Sequence, residues 1–306
     1  MVQAQSVFLV LHAKDESLQR KRKISVAAFH QGAFSRDVAG RRFTAAPFRL
    51  PCPPMGDPLG KERARRLARL QRAKVRRETG RMLLDSVPLV REGLGAGLVE
   101  EVFLYPGGHP ALREEALRRG VPVTDADPDL LRRMSGVETS AGAAALARLP
   151  EPLTLDDGFA DGPLMLVFLD AVADPGNLGG IVRTAAAFGA GAVLIGRDSA
   201  DPTAPKALRA SAGALLRLPV ARCVDLGTLA DALHSFTLLR ATAHGGVDPE
   251  RLAMGPRRLL WVGNEAHGPG PVPEGLSVTD VTIPLDRATE SLNVAAAAAV
   301  LLHLMR

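Results

Sequence analysis

Only two cysteines occur in 306 residues, Cys52 and Cys223, and they have no metal-ligand or redox spacing. Neither a metal centre nor a disulfide framework is expected, and the pair suits a reducing cytoplasm. No apolar run is long enough to cross a bilayer, which takes about 20 residues. The longest, residues 294–305, is alanine-rich and contains His303. No leader pattern opens the chain, because the apolar run 7–11 is short and has no basic residue before it. A phosphate-cradling G-x-x-x-x-G-K-[ST] loop, an H-E-x-x-H metal helix and an internal repeat are all missing. These absences leave no membrane partner, P-loop chemistry or metal to expect.

What is present is globular: 46% hydrophobic against 23% charged residues, in a length that suits two domains. The net charge of +5 is unevenly spread. Residues 1–77 hold 18 Lys/Arg against 5 Asp/Glu, and the rest hold 20 against 28. Residues 61–74 read as one helix of strong helix formers with basic residues around most of it. Arg63, Arg65, Arg66, Arg69, Arg72 and Lys74 are its candidate nucleic-acid contacts, since a polyanion is the natural partner of such a surface. A solvated basic helix is the plainer alternative.

Three parts follow along the chain. Residues 1–54 lack periodicity, end in Pro51-Cys52-Pro53-Pro54 and are expected to be a poorly ordered extension, with the native start at Met55. Residues 55–150 combine the basic helix with a small α/β domain: helix at 83–94, strand at 99–104, helix at 111–119, strand at 121–123. Residues 151–306 form the third part.

In that third part, residues 164–169 form a continuous apolar run between Gly162-Pro163 and Asp170, which reads as a strand buried on both faces. Turn chemistry at 174–180, a helical spacing at 181–188 and a second buried strand at 192–195 follow. Residues 259–262 and 281–283 read as two more strands ending in polar loops. The pattern predicts a parallel α/β sheet with ligands at the carboxyl ends of its strands. Three loops then converge: Asp174-Pro175-Gly176-Asn177-Leu178-Gly179-Gly180, Gly263-Asn264-Glu265-Ala266-His267-Gly268, and Ile283-Pro284-Leu285 leading to Glu290-Ser291-Leu292-Asn293.

In order and spacing these loops resemble the three motifs of the SpoU/TrmH family of RNA 2′-O-ribose methyltransferases, and the segment 206–215 is similar to the stretch between the first two. The segments 87–94 and 131–139, with Gly142 after them, resemble the ribosomal-protein-like RNA-binding domain that often precedes the catalytic one. The resemblance implies a C-terminal knotted, Rossmann-like parallel-sheet domain of the SPOUT class, with a deep trefoil knot, behind a small α/β RNA-binding domain. It implies S-adenosylmethionine as cofactor, held by Gly263, Ile283 and Leu292, structured RNA as substrate, rRNA before tRNA, and a homodimer. Arg183 matches the family's catalytic arginine. Asn177 would fix Arg183 or the ribose, Glu265 would orient Arg183 or the target nucleotide, and Ser291 and Asn293 would hydrogen-bond within the site. Lys206 and Arg209 join the expected RNA contacts.

One departure stands in the second motif, where Ala266 replaces the family's glycine and is compatible only with a negative φ. His267 beside it, and His244 next to Gly245-Gly246, read as loop histidines. Taken singly, Asn177, Ser291 and Asn293 also read as helix caps and Arg183 as a solvated charge. Two other classes stay open. A dinucleotide enzyme would use the glycine-rich loop with Asp198, but the loop is not G-x-G-x-x-G. A noncatalytic RNA-binding protein would not need Arg183, Glu265, Ser291 and Asn293 together.

Overall fold

The computed structural model describes residues 59–306 except 137–141, 156–158, 160 and 287–290, together with the backbone of two short antiparallel strands, β1 (Phe8–Val10) and β2 (Lys23–Ser25). The remainder of residues 1–54, with Met55, Glu290 and residues 137–139, lies outside the described residues. Two compact units are present: one takes Pro152–Ala200 and Leu218–Arg306, and the other runs to Glu151 and also takes Asp201–Arg217.

The smaller unit begins with α1 (Lys61–Ala68) and α2 (Ala73–Thr79), then β3 (Arg81–Leu84), α3 (Val87–Gly95), β4 (Val99–Leu104), α4 (Pro110–Arg118), β5 (Val123–Asp125), α5 (Pro128–Ser135) and β6 (Ala143–Arg148). Its sheet is ordered β3-β6-β4-β5, antiparallel except for β4 with β5. The basic run at 61–74 is not one helix. A 3-10 turn at Arg69–Gln71 and an extended Arg72 (φ −89°, ψ 128°) divide it.

Two side chains hold that break. Gln71 Nε2 donates to the carbonyls of Met134 (2.9 Å) and Ser135 (3.2 Å), which the end of α5 leaves without helical partners. Arg76 turns inward, only 2% exposed. Its Nη1 donates to the carbonyls of Leu70 (2.9 Å) and Gln71 (2.8 Å), its Nη2 to Asp201 (2.7 Å) and its Nε to Thr203 Oγ1 (3.1 Å). The helix expected at 83–94 starts later, because Leu83 and Leu84 are buried in β3 and Ser86 caps α3. The alanine-rich β6, a helix former by composition, is a central strand because β3 and β4 pair with both its edges.

The larger unit holds β7 (Leu164–Leu169), α6 (Pro175–Ala187) and β8 (Ala192–Gly196). The chain then gives α7 (Pro205–Ala210) to the smaller unit and returns with β9 (Val220–Val224), α8 (Ala230–Leu233), β10 (Thr237–Ala241), β11 (Arg257–Val262), β12 (Val278–Val281) and α9 (Val294–Leu304). All six strands are parallel in the order β12-β10-β11-β7-β8-β9, so β7 lies inside the sheet with every residue buried. The strand expected at 281–283 lies earlier, at β12, and Thr282 instead accepts a hydrogen bond from Gly246 N on its hydroxyl (2.9 Å).

The turn expected at 174–180 is helical from Pro175 onward. Asp174 caps it, its Oδ1 accepting from Asn177 N at 2.9 Å, and Pro175 occupies the first position, where a missing N–H costs nothing. At Gly180 this helix faces α9, where an added Cβ would meet Ala295 Cβ at an ordinary contact distance of 3.5 Å. No helix among the described residues is long and apolar enough to cross a membrane.

Arg76→Ala would remove the cation paired with Asp201 and the donor to two carbonyls, and urea denaturation is expected to show a loss of about 3–5 kcal/mol. The hydrogen bonds of Thr203 and Arg76 outweigh burial and hold Asp201 below its ordinary value of 3.8. Its contribution is therefore full above that pH and is lost as pH falls through the lower folded value.

Candidate active site

Four loops leave the carboxyl ends of β7, β10, β11 and β12, where open parallel sheets bind ligands. Those after β10, β11 and β12, with the start of α9, line a cavity of about 770 Å³. Its walls include residues 241–244, the whole loop 263–268, Ile283 and Leu285, Ser291 to Asn293, and Leu301 from α9.

The loop after β11 is closed on itself. Asn264 and Gly268 exchange both backbone hydrogen bonds (3.0 and 2.9 Å). Asn264 Oδ1 accepts from the amides of Ala266 (2.9 Å) and His267 (3.2 Å), while its Nδ2 donates to the carbonyl of Ala171 after β7 (2.9 Å). Ala266 is not among the residues of positive φ, so its methyl group sits without strain.

Glycine is required where this loop begins. A Cβ on Gly263 would stand 2.0 Å from Pro269 N and 2.3 Å from Gly268 C. A Cβ on Gly246 would lie 2.6 Å from Val281 C and 2.8 Å from Thr282 N. Backbone passes against backbone at both positions.

A hydrogen-bonded chain links the three motif loops. Asn177 Nδ2 donates to Glu265 Oε1 (2.9 Å), and Asn177 Oδ1 accepts from Asn293 Nδ2 (3.1 Å). Glu265 also accepts from the amides of Ala173 (3.3 Å) and Asp174 (3.4 Å). Burial raises its carboxyl, but these donors outweigh it and hold Glu265 below its ordinary value. Asn293 caps α9 through Oδ1, which accepts from Ala295 (2.9 Å) and Ala296 (3.4 Å).

Asn177, Glu265 and Asn293 are thus brought together, and Gly263, Ile283, Leu292 and Ser291 line the adjoining cavity. Arg183 lies two turns along α6 from Asn177, exposed and with no hydrogen bond or ion pair among the described residues. The orientation of Arg183 by Asn177 or Glu265, expected from the resemblance, is not made: both spend their polar atoms on the loops.

Sequence reasoning missed the ion pair beneath this region. Arg240 of β10 meets Asp280 of β12 twice (Nε–Oδ1 2.7 Å, Nη2–Oδ2 2.9 Å) and donates to the Gly270 carbonyl (2.8 Å). Its guanidinium lies 5.7 Å from the centre of the Trp261 ring. Asp170 Oδ2 accepts from Trp261 Nε1 (3.0 Å) and Gly270 N (2.7 Å), so the segment after the second motif is held from two strands. The two charges lie 40 residues apart, and only the parallel register of β10 and β12 pairs them. His244 and His267, read as loop histidines, both line the cavity.

The expected RNA contacts divide. Arg65, Arg66, Arg69, Arg72 and Lys74 are exposed, with Lys74 3.9 Å from Glu78, and Lys206 is exposed too. Arg63 is a correction. It turns inward to pair with Glu101 and packs 5.4 Å from the Phe103 ring centre, because the face of α1 that carries it covers the small sheet. Arg209 is exposed and pairs with the buried carboxylate of Asp85.

The SpoU rRNA Methylase family model matches residues 164–303. The chain is 31% identical to the 23S rRNA (guanosine(2553)-2′-O)-methyltransferase RlmP of Bacillus subtilis, over 78% of this chain and 93% of that one. It is 32% identical to the 23S rRNA (adenosine(1067)-2′-O)-methyltransferase of Streptomyces azureus, over 72% and 84%. The fold is that of the SpoU methyltransferase AviRb from Streptomyces viridochromogenes, solved with AdoMet, at a TM-score of 0.68 and 24% identity over 80% of this chain and 97% of that one.

Gly263→Ala is expected to lower stability by about 3 kcal/mol or more, because backbone rather than a side-chain end must yield. Ala266→Gly is expected to stay within about 1 kcal/mol. Thermal denaturation of the two variants measures the contrast. The Glu265 network is at full strength above pH 4.5, the carboxyl's ordinary value, and fails as pH falls through the lower folded value. Glu265→Gln should therefore flatten the fall of the melting temperature below that pH.

Proposed function

Because the chain belongs to the SpoU family of RNA ribose methyltransferases, we propose that it methylates a ribose 2′-hydroxyl of ribosomal RNA, with S-adenosylmethionine as donor. The observation that carries this reading is the joining of Asn177, Glu265 and Asn293 at the rim of a cavity of about 770 Å³. A volume in the range of about 300–1,000 Å³ is that of a small-molecule site. Its wall combines the apolar residues Ile283, Leu292 and Leu301 with the loop segments 241–244 and 263–268, which suits a flat purine and the polar tail of an amino acid. Gly263, Ile283 and Leu292 hold that cofactor. The close pass of Gly246 against Val281 and Thr282 supports a chain threaded as a deep trefoil knot.

S-adenosylmethionine supplies an electrophilic methyl group on a sulfonium. The protein supplies position and charge. Arg183 is free to meet RNA, and a guanidinium with a pKa above about 12 is a poor base. It binds the phosphate next to the target ribose and lowers the cost of the alkoxide that forms as the 2′-hydroxyl loses its proton to phosphate or water. Asn177, Glu265 and Asn293 keep the loops in register, while Ser291 faces the cavity. The exposed Arg65, Arg66, Arg69, Arg72, Lys74 and Lys206 take the RNA backbone. Both relatives named above act on 23S rRNA, which favours rRNA over tRNA. A cytoplasmic homodimer is the form we propose, and sedimentation velocity tests its second half.

The deciding assay is transfer of radiolabelled methyl to rRNA and tRNA pools lacking the modification, followed by nucleoside analysis. A 2′-O-methylated nucleoside in rRNA is expected. Arg183→Ala should lower the rate about a hundredfold or more with cofactor affinity unchanged. Cofactor binding without transfer to either pool would favour a noncatalytic RNA-binding protein.

A further inference from the structure

The only tyrosine of the chain, Tyr105, follows β4 in the smaller unit and is 38% exposed. Its seat is built from backbone. A Cβ on Gly108 would stand 2.4–2.6 Å from the Cζ, Cε1 and Cε2 atoms of the ring, and one on Gly142 would stand 2.4 Å from Cε1. Both glycines therefore leave room that any side chain would fill. The seat is also stiff. Gly108 N donates to the Tyr105 carbonyl (3.0 Å), Tyr105 N donates to the Gly142 carbonyl (3.4 Å), and Gly142 has a φ of +72°. His109, in the left-handed region at φ 49°, turns its ring edge-on to Tyr105 at 5.7 Å between centroids. A non-glycine residue in that conformation carries strain, which concentrates at functional sites. The tyrosine hydroxyl bonds no described residue, so this arrangement holds and presents the ring.

We propose that Tyr105, braced by His109, is a stacking platform for an unpaired RNA base. The inference rests on the RNA substrate reading above. Sequence-tolerant RNA recognition couples exposed aromatic faces to cations that follow the backbone. The same unit supplies both, since Arg65, Arg66, Arg69 and Arg72 are exposed. A ring on a glycine seat loses little freedom when a base stacks on it, so it binds at low entropic cost.

Fluorescence anisotropy with the full chain tests this, using an oligouridylate of about a dozen nucleotides and an RNA duplex of the same length. Tyr105→Ala is expected to weaken single-strand binding about tenfold and to leave duplex binding within about twofold, while Tyr105→Phe and Tyr105→Trp retain both. No loss in Tyr105→Ala, or an equal loss for both RNAs, would overturn the platform. If Tyr105→Ala fails to fold, photocrosslinking of wild type to a 5-iodouridine oligonucleotide decides. A crosslink on Tyr105 or His109 supports the proposal, and crosslinks confined to other residues overturn it. Wild-type methyl transfer to rRNA, measured beside these, separates the two readings: transfer with an inert Tyr105 removes only the platform, and a Tyr105 crosslink without transfer removes only the catalytic reading.

Discussion

One primary amide joins the three loops at the carboxyl ends of the parallel strands. Asn177 can donate and accept at once, and it does both, to Glu265 and from Asn293. A carboxylate there could not donate to Glu265, and a hydroxyl could not span both partners. The amide stands where it does because Asp174 caps α6 and Pro175 starts it, leaving Asn177 in the first turn. Glu265 reaches back to the amides of Ala173 and Asp174 as well. The negative charge lies against a helix N-terminus, where the peptide dipoles favour it.

At two positions around this junction the chain leaves no room for a side chain. Gly263 and Gly246 each meet passing backbone at distances no Cβ could occupy, and Gly180 faces Ala295 where α6 and α9 pack. Gly246 answers to contact with a segment far away in sequence, whereas Gly263 answers to the closure of its own loop on Gly268 and Pro269. Beneath the cavity, Arg240 and Asp280 lock two parallel strands together and fix Gly270. The cavity is thus bounded by loops held from below and from the side, which preorganises it without ligand.

Charge in the smaller unit serves two purposes that composition does not separate. Arg63 and Arg76 are spent on Glu101 and Asp201, whereas Arg65, Arg66, Arg69 and Arg72 remain at the surface. An arginine on the inner side of a helix reads the same in a charge count as one on its outer side. The break at Arg72 adds to this, because it rotates the residues of α2 away from the register that a continuous helix would give.

The buried strands β7, β8 and β11 were legible because uninterrupted apolar runs bounded by glycine and polar residues have few other uses, and the loops after β7 and β11 followed from them. The family motifs were legible for a related reason: polar residues at strand ends carry chemistry that the core does not need. Other features were decided only by tertiary structure. Whether 174–180 is turn or helix depends on the cap at Asp174 and the packing of α9 on Gly180. Whether 143–148 is helix or strand depends on two neighbours waiting to pair with it. The Arg240–Asp280 pair exists only through strand register, and the seat of Tyr105 only because Gly108 and Gly142 meet it across 34 residues of sequence. Local propensity and pattern determine what a segment can be; which partner reaches it first, through burial and hydrogen bonding at long range, determines what it is.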